Sequence, residues 1–421
     1  MNLPIAPKSN APQKILVLSQ YFEPEPNVVV SLVAKHLANE CEDKYHVTVI
    51  CALPNYPLNR FYEGWASLWP KKQNLKNQTI IRLPMWPNHS RNPAFRMVSY
   101  LTFLFVCFFS APFLCLNPKV ILVYQTPFFT GISALFFKWV YKAKLIFVNV
   151  DLWPESLLAT EVAKPNPLLS LLFFYSRWIN RQAHQIICST QGMLQRFKND
   201  GIPPERLMFL PVCVEGIPDA DKLKSLSWQP SSPESLQVVY AGNMGPAQAL
   251  DVVMHCAALC AQEDLKIQFC LYGYGSEKNH LTQLASQLHV LDKNVFIYTQ
   301  IPPEEAFQKQ FLADVVLVHL KDSPLFRMTL PSKLATAFAA GGIVLCGAQG
   351  ETRSWCESSG GAVVFDPESA DEMFSAIKKI SSLTLIERQD RRKKALDFYS
   401  QNLSKEVVLG RYESIILQNL A

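Results

Sequence analysis

Two successive series of short apolar segments, each segment followed by a polar loop and a helical pattern, constrain the fold of this chain most strongly. The first series reads KILVLSQYF, HVTVICALP, TIIRLPM, KVILVYQ, KLIFVNVD and QIICST, with helical patterns such as SLVAKHLANE in between. Strands that alternate with helices form a parallel sheet, and such strands are apolar throughout because helices cover both faces. The first half of the chain therefore predicts a doubly wound α/β domain.

A second series begins after a polar, proline- and serine-rich interruption between Val212 and Ser235. Its segments are LQVVYAG, KIQFCLYG, VFIYTQ, ADVVLVHL, GGIVLCG and GAVVFD. A chain of 421 residues is also too long for one ordinary core. We therefore predict an N-terminal domain over residues 1–215, a linker over 216–235 and a C-terminal domain over 236–421. The sequence leaves open whether the last helix packs back on the first domain.

Composition narrows the class of protein. Apolar residues make up 49% of the chain and charged residues 18%, which is typical of a globular protein. The net charge of +5 is small and no long Lys/Arg run concentrates it, so no nucleic-acid partner is expected. The densest basic run, from Arg388 to Lys394, predicts a solvated helix face, with contact to an anionic surface as the alternative.

No metal site is predicted. Eleven cysteines are scattered without the spacing of a disulfide framework, which favours buried free thiols in a reducing cytosol. Cys256 and Cys260 lie four residues apart beside His255, but further zinc ligands are not obvious near them. The D-x-D pattern from Asp219 to Asp221 lies in the linker and does not follow a strand.

One apolar segment raises the question of a membrane. The segment from Met97 to Leu116 carries no charged side chain and is long enough to span a bilayer, and Arg91 and Arg96 precede it. The N-terminus lacks the apolar core of a secretory signal. The sequence therefore contains one segment that either crosses a membrane or contacts it.

Ligands of open parallel sheets bind at the carboxyl ends of the strands, so a protein with two such sheets is expected to bind its ligands in the cleft between them. Two loops of the second half, AGNMG and YGYGS, place glycines where a backbone can approach a phosphate closely. The loop after the first strand, FEPEPN, has no glycine. A dinucleotide fingerprint is therefore absent there, and NAD is not expected.

The stretch HLKDSPLFRMTLPSKLATAFAAGG predicts a loop and a helix that binds an anion. Pro331 suits the first helical position, so the N–H groups of Ser332, Lys333 and Leu334 have no acceptor within the helix. Arg327 and Lys333 add positive charge beside the helix dipole. We interpret this as a site for a diphosphate-sized anion. A capped surface helix with incidental basic residues is the alternative.

The stretch DLWPES is the strongest element of the first half. Asp151 is expected to end a strand with its carboxylate in the cleft, Trp153 to form an apolar wall, and Glu155 to supply a second acid. Asp151 is then a base or a hydrogen-bond anchor for an incoming hydroxyl, with a loop-initiating cap as the alternative. Glu23 and Glu25, flanked by prolines, are weaker candidates.

Together these motifs resemble a known family. In order and spacing, the segments SQYFEPEPN, ALPNYPLNRFYEGW, NVDLWPES, AGNMGPAQALD, LYGYGSEKNHL and PLFRMTLPSKLATAFAAGG are similar to retaining glycosyltransferase family 4, from about Lys14 onward. The branch they resemble most contains bacterial enzymes of O-antigen, capsule and colanic-acid assembly similar to fucosaminyltransferases. The resemblance implies a GT-B fold, in which two Rossmann-like domains face each other across a cleft.

The resemblance also implies an activity. A hexosyl-type sugar would pass, with retention, from a nucleotide-sugar on the C-terminal domain to a lipid-linked or other glycan acceptor on the N-terminal domain. No metal or other cofactor is implied, because helix N-termini and basic side chains neutralise the diphosphate. The protein would be cytoplasmic and peripheral on the inner face of the cytoplasmic membrane. Met97 to Leu116 then favours an interfacial helix, since a crossing would interrupt the predicted sheet.

The resemblance assigns roles to individual residues. Asp151 and Glu155 are expected to be catalytic. Acceptor binding is expected from Glu25, Asn55, Tyr56 and Trp153. Donor binding is expected from Gly242, Asn243, Gly245, Gly273, Gly275, Arg327, Ser332, Lys333 and Thr336.

The chain departs from the family at the donor side. Thr336 stands where the family has a glutamate that binds the ribose, and Met328 replaces a second glutamate. Asn243, Pro246 and Gln248 stand where basic residues are frequent. Two hypotheses therefore remain: an active transferase with an altered donor site, and a donor-blind relative that serves as a binding or assembly subunit of a polysaccharide complex.

Overall fold

The computed structural model describes residues 12–25, 29–39, 41, 44–89, 93–114, 116–125, 128–155, 166–214, 216–229 and 235–420. The chain divides into two compact units. Described residues up to Val212 and again from Val408 form the N-terminal unit, and those of Cys213–Val407 form the C-terminal unit.

The N-terminal unit is built on one sheet. Its described strands are β1 (Gln13–Leu18), β2 (Tyr45–Ala52), β3 (Lys71–Asn74), β4 (Gln78–Leu83), β5 (Val120–Tyr124), β6 (Lys144–Asn149), β7 (Gln185–Cys188) and β8 (Leu207–Phe209). They follow the order β3-β4-β2-β1-β5-β6-β7-β8, and only β3 is antiparallel to its neighbour. The helices described in this unit are α1 (Val29–Asn39), α2 (Pro93–Ser110), α3 (Thr130–Tyr141), α4 (Pro167–Arg181) and α5 (Gln191–Asn199).

The C-terminal unit repeats the plan with a fully parallel sheet. Its strands are β9 (Leu236–Ala241), β10 (Ile267–Tyr272), β11 (Val295–Tyr298), β12 (Val315–His319), β13 (Ile343–Gly347) and β14 (Ala362–Phe365), in the order β11-β10-β9-β12-β13-β14. Its helices, as far as described, are α6 (Ala220–Ser225), α7 (Asp251–Gln262), α8 (Lys278–Gln287), α9 (Pro303–Leu312), α10 (Ser332–Ala339), α11 (Glu351–Ser359), α12 (Ala370–Ser381) and α13 (Leu385–Asn402). A last helix, α14 (Lys405–Leu420), ends in the N-terminal unit. The prediction of two Rossmann-like α/β domains is confirmed.

Every apolar segment predicted as a strand contains one. Several strands end earlier than predicted, because the apolar pattern runs on into the loop. The first strand ends at Leu18 and not at Phe22, and β6 ends at Asn149, two residues before Asp151. The polar edge strand β3, with sequence KKQN, was not predicted because its residues are largely exposed and carry no apolar pattern.

Helix α2 lies where the apolar segment was expected to contact or cross a membrane. It connects β4 to β5, which belong to the same sheet. One side of the helix packs inward through Phe103 and Cys107, while Phe105 and Phe109 are 55% and 65% exposed. Among the described residues, no helix has the length and apolarity needed to cross a membrane.

The basic run on α13 agrees only in part with the predicted solvated face, because Lys393 and Lys394 are exposed but two of its arginines are not. Arg388 and Arg392 are buried, and Arg392 donates to the carbonyls of Phe311 and Ala313 at 2.9 Å each. Burial lowers the pKa of Arg392 to about 9, and its guanidinium lies 4.2 Å from the ring of Trp228. These arginines therefore fasten α13 to its own unit, because long side chains can reach inward from a helix that is otherwise exposed.

Candidate functional site

The two glycine loops of the C-terminal unit lie against each other at the carboxyl ends of β9 and β10. Gly242 donates its N–H to the carbonyl of Tyr272 at 2.9 Å, and Met244 donates to Tyr274 at 2.7 Å. A Cβ at Gly273 would overlap the carbonyl of Gly242, and one at Gly275 would overlap that of Met244. Gly273 and Gly275 therefore allow the second loop to contact the first, and contact of these loops with a phosphate stays a prediction.

Lys333, in the first turn of α10, reaches across Gly242. Gly242 has a φ of 141°, and a Cβ there would overlap the Lys333 side chain. The Lys333 ammonium donates to the Tyr240 hydroxyl, lies 3.4 Å from the carbonyl of Asn243 and 4.3 Å from the Tyr240 ring centre. The structure therefore brings together three elements of the predicted donor site: Lys333, Gly242 and Asn243.

The charge of Lys333 has no acidic partner among the described residues, and burial lowers its pKa to about 8. Desolvation disfavours the charged form of an amine, so the folded protein holds this cation at a cost. Tyr240, which was not predicted because it reads as an ordinary strand residue, is buried and donates its hydroxyl to the Asn243 carbonyl at 2.5 Å. The pair of Tyr240 and Lys333 forms a small cationic site that an anion would complete.

The start of α10 is one residue later than predicted. Pro331 occupies the cap position, and Leu334 donates its N–H to the Pro331 carbonyl at 2.9 Å. The prediction of three available N–H groups is therefore wrong for Leu334, and Ser332 and Lys333 are left as the groups without an intrahelical acceptor. Ser332 is exposed and Thr336, one turn later, is half-buried.

Arg327 is already engaged by a carboxylate. Its Nε and Nη2 donate to the two Asp322 oxygens at 2.7 and 2.6 Å. This pairing lowers the pKa of Asp322 and raises that of Arg327. The arginine side chain is 58% exposed, so solvent screens the pair and an incoming anion competes with Asp322 for the guanidinium.

Gln248, at one of the positions where the resembled family frequently has a basic residue, makes hydrogen bonds that hold the first glycine loop. The Gln248 side-chain oxygen accepts the Gly245 N–H at 3.1 Å. The Gln248 backbone carbonyl oxygen lies 2.7 Å from His319 Nδ1. Asn243 is exposed. Gln248 thus stabilises the loop that carries Gly242. Lys333 is the cationic side chain that contacts this loop.

We expect the affinity for a nucleoside diphosphate to decrease as the pH rises above about 8. Lys333 loses its proton near that pH, and the diphosphate is fully ionised by then, so binding must take up a proton. Calorimetric titrations between pH 7 and 9.5 should show a dissociation constant that rises by up to about tenfold per pH unit. In Lys333→Arg the cation stays charged, so a slope that persists in that variant would contradict the assignment to Lys333.

In the N-terminal unit, Glu25 joins the loops that follow β1 and β2. Its carboxylate accepts the N–H groups of Phe22, Asn55 and Tyr56 at 3.0, 2.7 and 2.8 Å. The side chain is 5% exposed. Burial raises the pKa of the Glu25 carboxyl, although the three hydrogen bonds act to lower it. Glu25 therefore positions Asn55 and Tyr56, and its own oxygens are occupied.

An aromatic surface lies beside this junction. The Tyr56 ring centre is 5.2 Å from those of Tyr21 and His89, and Tyr56 is 41% exposed. The side-chain oxygen Oδ1 of buried Asn55 lies 2.5 Å from His89 Nε2. Aromatic rings next to fixed polar groups suit the apolar faces and hydroxyls of a sugar. Tyr21 and His89 were not predicted: Tyr21 belongs to the segment SQYFEPEPN but was assigned no role, and His89 lies outside the quoted segments.

Two buried amides follow the neighbouring strands β1 and β5. Gln20 and Gln125 are 1% and 6% exposed, and their side-chain oxygens and nitrogens have no hydrogen-bond partner among the described residues. Buried polar groups normally find a partner. These amides are therefore available to the hydroxyls of a ligand or to ordered water.

The two acids of the DLWPES loop, Asp151 and Glu155, have different surroundings. Asp151 keeps exposed surface, while the surrounding protein raises its pKa by desolvation. Glu155 instead accepts from Arg196 Nε at 2.9 Å. The Trp153 ring centre lies 4.8 Å from that of Phe128 and 5.9 Å from that of Phe129, which makes the expected apolar wall. Ser156 lies outside the described residues.

Comparisons with known protein families match two long stretches of the chain. Residues 26–213 match the family described as glycosyl transferase 4-like domain, and residues 225–397 match glycosyl transferases group 1. No curated protein gave a significant match.

Solved structures share the fold over nearly the whole chain. Sucrose-phosphate synthase from Thermosynechococcus elongatus is 15% identical, with a TM-score of 0.72, over 96% of this chain and 98% of that chain. HepE from Anabaena, in complex with UDP and glucose, is 13% identical with a TM-score of 0.65, over 96% and 100%. WaaG, a glycosyltransferase involved in lipopolysaccharide biosynthesis, is 15% identical with a TM-score of 0.62, over 96% and 99%. The predicted GT-B fold class is confirmed.

Proposed function

Because the chain belongs to the glycosyltransferases, with a glycosyl transferase 4-like domain followed by a group 1 domain, we propose that it builds a cell-surface polysaccharide. In this proposal a hexosyl-type sugar passes from a nucleotide-sugar to a lipid-linked glycan with retention of configuration. The predicted relation to O-antigen, capsule and colanic-acid enzymes similar to fucosaminyltransferases belongs to the same proposal.

The cation at Lys333 is the observation that carries the proposal. The protein bears the cost of a partly buried ammonium that no described carboxylate neutralises. A donor diphosphate would supply the missing negative charge next to the first N–H groups of α10, and Arg327 is proposed as its second cationic contact. HepE is bound to UDP in its own structure, so uridine nucleotides are the first donors to test.

Metal-independent transfer follows from the same groups. As the sugar departs, negative charge grows on the diphosphate, and fixed cations and N–H donors stabilise it best when they are already in place. Lys333 and Arg327 are the side chains proposed to supply this positive charge. We therefore propose that the transfer reaction itself requires no metal.

On the acceptor side, we propose that the surface around Tyr56 and Trp153 binds the glycan. Glu25 holds the loop of Asn55 and Tyr56 in place, and the amides of Gln20 and Gln125 provide hydrogen bonds to hydroxyls. Asp151 is proposed to anchor or deprotonate the attacking hydroxyl, because its raised pKa makes it a better proton acceptor. Glu155 is proposed to fix the loop through Arg196.

The helices of the N-terminal unit expose a surface suited to lipid. Residues Phe105 and Phe109 of α2 are exposed next to α3, on which Trp139 is 76% exposed. Phe108 of α2 stacks on Phe136 of α3 with 4.0 Å between ring centres, so this apolar surface is continuous. On α4 the exposed residues Leu171, Phe174 and Trp178 share a face with Arg177 and Arg181 nearby. An apolar face with basic neighbours is typical of a peripheral membrane enzyme, here at the inner face of the cytoplasmic membrane.

We expect the double substitution Phe105→Glu/Phe109→Glu to reduce binding to anionic vesicles by at least about tenfold. Each phenylalanine that enters lipid contributes roughly 1.5–3 kcal/mol, and the introduced charges oppose insertion. Vesicle sedimentation measures the effect, and an unchanged melting temperature would show that the core is intact. Ile386→Glu, at a 78% exposed position of the C-terminal unit, is the matched control. Equal binding of both variants would contradict a membrane surface on α2.

A transfer assay tests the proposed function. Purified protein is incubated without added divalent metal, with UDP-, GDP- and dTDP-sugars and a polyprenyl-diphosphate-linked glycan in vesicles. We expect one donor to extend the acceptor by one hexosyl-type residue, seen by mass spectrometry, with the donor's anomeric configuration in the product. A product of inverted configuration, or a strict requirement for Mg²⁺, would contradict the corresponding part of the proposal.

A second candidate function rests on the donor helix. Thr336 stands where the resembled family has a glutamate that binds the ribose, and Met328 stands where it often has a second glutamate. Under this alternative the protein binds glycan and membrane but no nucleotide, and serves in the assembly of a polysaccharide complex.

A further inference from the structure

Three side chains with metal-ligating atoms converge in the N-terminal unit. They are His36 in the last turn of α1, Cys41 shortly after that helix, and Glu413 on α14. One nitrogen, the sulfur and one carboxylate oxygen all lie within 4.8 Å of one another. His36 and Cys41 are only 8% and 5% exposed. Glu413 is far from His36 and Cys41 in sequence, so no spacing motif indicated the cluster.

The carboxylate of Glu413 has one oxygen directed toward the cluster. Lys44 Nζ donates to Oε1 at 3.0 Å, whereas Oε2 lies 4.0 Å from His36 Nε2. The Lys44 side chain is 60% exposed, so it contacts the carboxylate from the solvent side. Oε2 can therefore bind a cation without loss of the ion pair at Oε1.

A buried hydroxyl next to the cluster is a second, independent observation. Tyr45 is 1% exposed, and its hydroxyl has no hydrogen-bond partner among the described residues. Burial raises the pKa of Tyr45, and the nearby Glu413 and Cys41 raise it further. Tyr45 also directly follows Lys44, whose ammonium contacts Glu413. A buried hydroxyl without a partner is costly, and a metal-bound water would provide one.

We propose that His36, Cys41 and Glu413 bind a zinc ion, with a water molecule as the fourth ligand and Tyr45 hydrogen-bonded to that water. A thiolate, an imidazole and a carboxylate form a ligand set that favours zinc over magnesium or calcium. On binding, the Cys41 thiol releases its proton to solvent and the thiolate coordinates the metal. The ion joins α14 to α1 and stabilises the N-terminal unit. It is separate from the donor site in the C-terminal unit, so it does not conflict with metal-independent transfer.

Metal analysis tests the proposal on the full chain, produced without a polyhistidine tag. The protein is incubated with zinc chloride, desalted and analysed by mass spectrometry for metals. We expect about one zinc per chain, and a rise in melting temperature on the order of 5 °C relative to the chelator-treated protein. The variants Cys41→Ser and His36→Gln should each lose most of the zinc. Cys256→Ser, which alters a fully buried thiol of the C-terminal unit, should keep it.

Cobalt provides a readout that does not depend on stability. Cobalt chloride added to the metal-free wild type should give the near-ultraviolet absorption of a thiolate–cobalt bond, and Cys41→Ser should lack it. Wild-type protein that keeps less than about a tenth of an equivalent of zinc, or a Cys41→Ser variant that keeps all of it, would overturn the proposal.

Discussion

Replacing Lys333 with alanine is expected to weaken the binding of a nucleoside diphosphate by roughly tenfold to a hundredfold. A charge-assisted hydrogen bond to phosphate contributes about 1.5–3 kcal/mol, and its loss leaves the phosphate charge against a neutral surface. Calorimetry with UDP, followed by other nucleoside diphosphates, measures the effect. The transfer rate at low donor concentration should fall by the same factor.

The stability of Lys333→Ala separates this account from a structural role. Burial lowers the pKa of Lys333 to about 8, so the folded protein bears a cost for its charge. Removal of the charge should therefore leave the melting temperature unchanged or raise it, as is common for functional residues. Lys293→Ala, at an exposed lysine just before β11, is the control at the opposite edge of the sheet. Unchanged nucleotide affinity, or a large loss of stability, would contradict a donor-binding role for Lys333.

Asp151→Asn is expected to reduce transfer by about a hundredfold or more, with little effect on nucleotide affinity. General acid–base groups contribute typically 10²–10⁴-fold to a rate, and an amide cannot accept the proton that a carboxylate accepts. Asp151 belongs to the N-terminal unit, whereas the proposed phosphate contacts belong to the C-terminal unit. The measurement compares kcat and the nucleotide dissociation constant in wild type and variant.

Two further variants serve as comparisons for Asp151→Asn. Glu155→Gln breaks the ion pair with Arg196 and should act through loop stability, which a lower melting temperature would reveal. Glu205→Gln changes an exposed acid of the same unit and should behave as wild type. If Asp151→Asn lost nucleotide affinity and transfer in the same proportion, or unfolded at a lower temperature, its role on the acceptor would be refuted.

The sequence predicted the architecture because local patterns encode it. Buried parallel strands must be apolar, so each predicted segment contains a strand. Gly242 and Asp151 lie in loops that follow strands, and Lys333 lies in the first turn of α10, which follows β12. The contact of Lys333 with Gly242 agrees with the rule that loops at the carboxyl ends of one sheet meet. Strand ends were less predictable, since apolar residues such as Val150 continue past the last ladder hydrogen bond.

Partners between distant positions could not be predicted in the same way. Nothing in the local sequence shows that Arg196 pairs with Glu155, or that the Tyr240 hydroxyl contacts Lys333. From the sequence alone, Arg392 looks like one member of an exposed basic run, and only the packing of α13 shows that it is buried. Such contacts depend on tertiary packing, and they decide which charges are satisfied and which remain for a ligand.

Calorimetric titration of wild-type protein with nucleoside diphosphates, beside Thr336→Glu, tests the central claim most directly. The account predicts that wild type binds one nucleoside diphosphate. Thr336→Glu is expected to bind it equally or more tightly, because a carboxylate one turn after Ser332 can accept hydrogen bonds from both ribose hydroxyls. Absence of binding in wild type and in Thr336→Glu, across uridine, guanosine and thymidine diphosphates, would contradict the donor site at α10 and favour the assembly-subunit alternative.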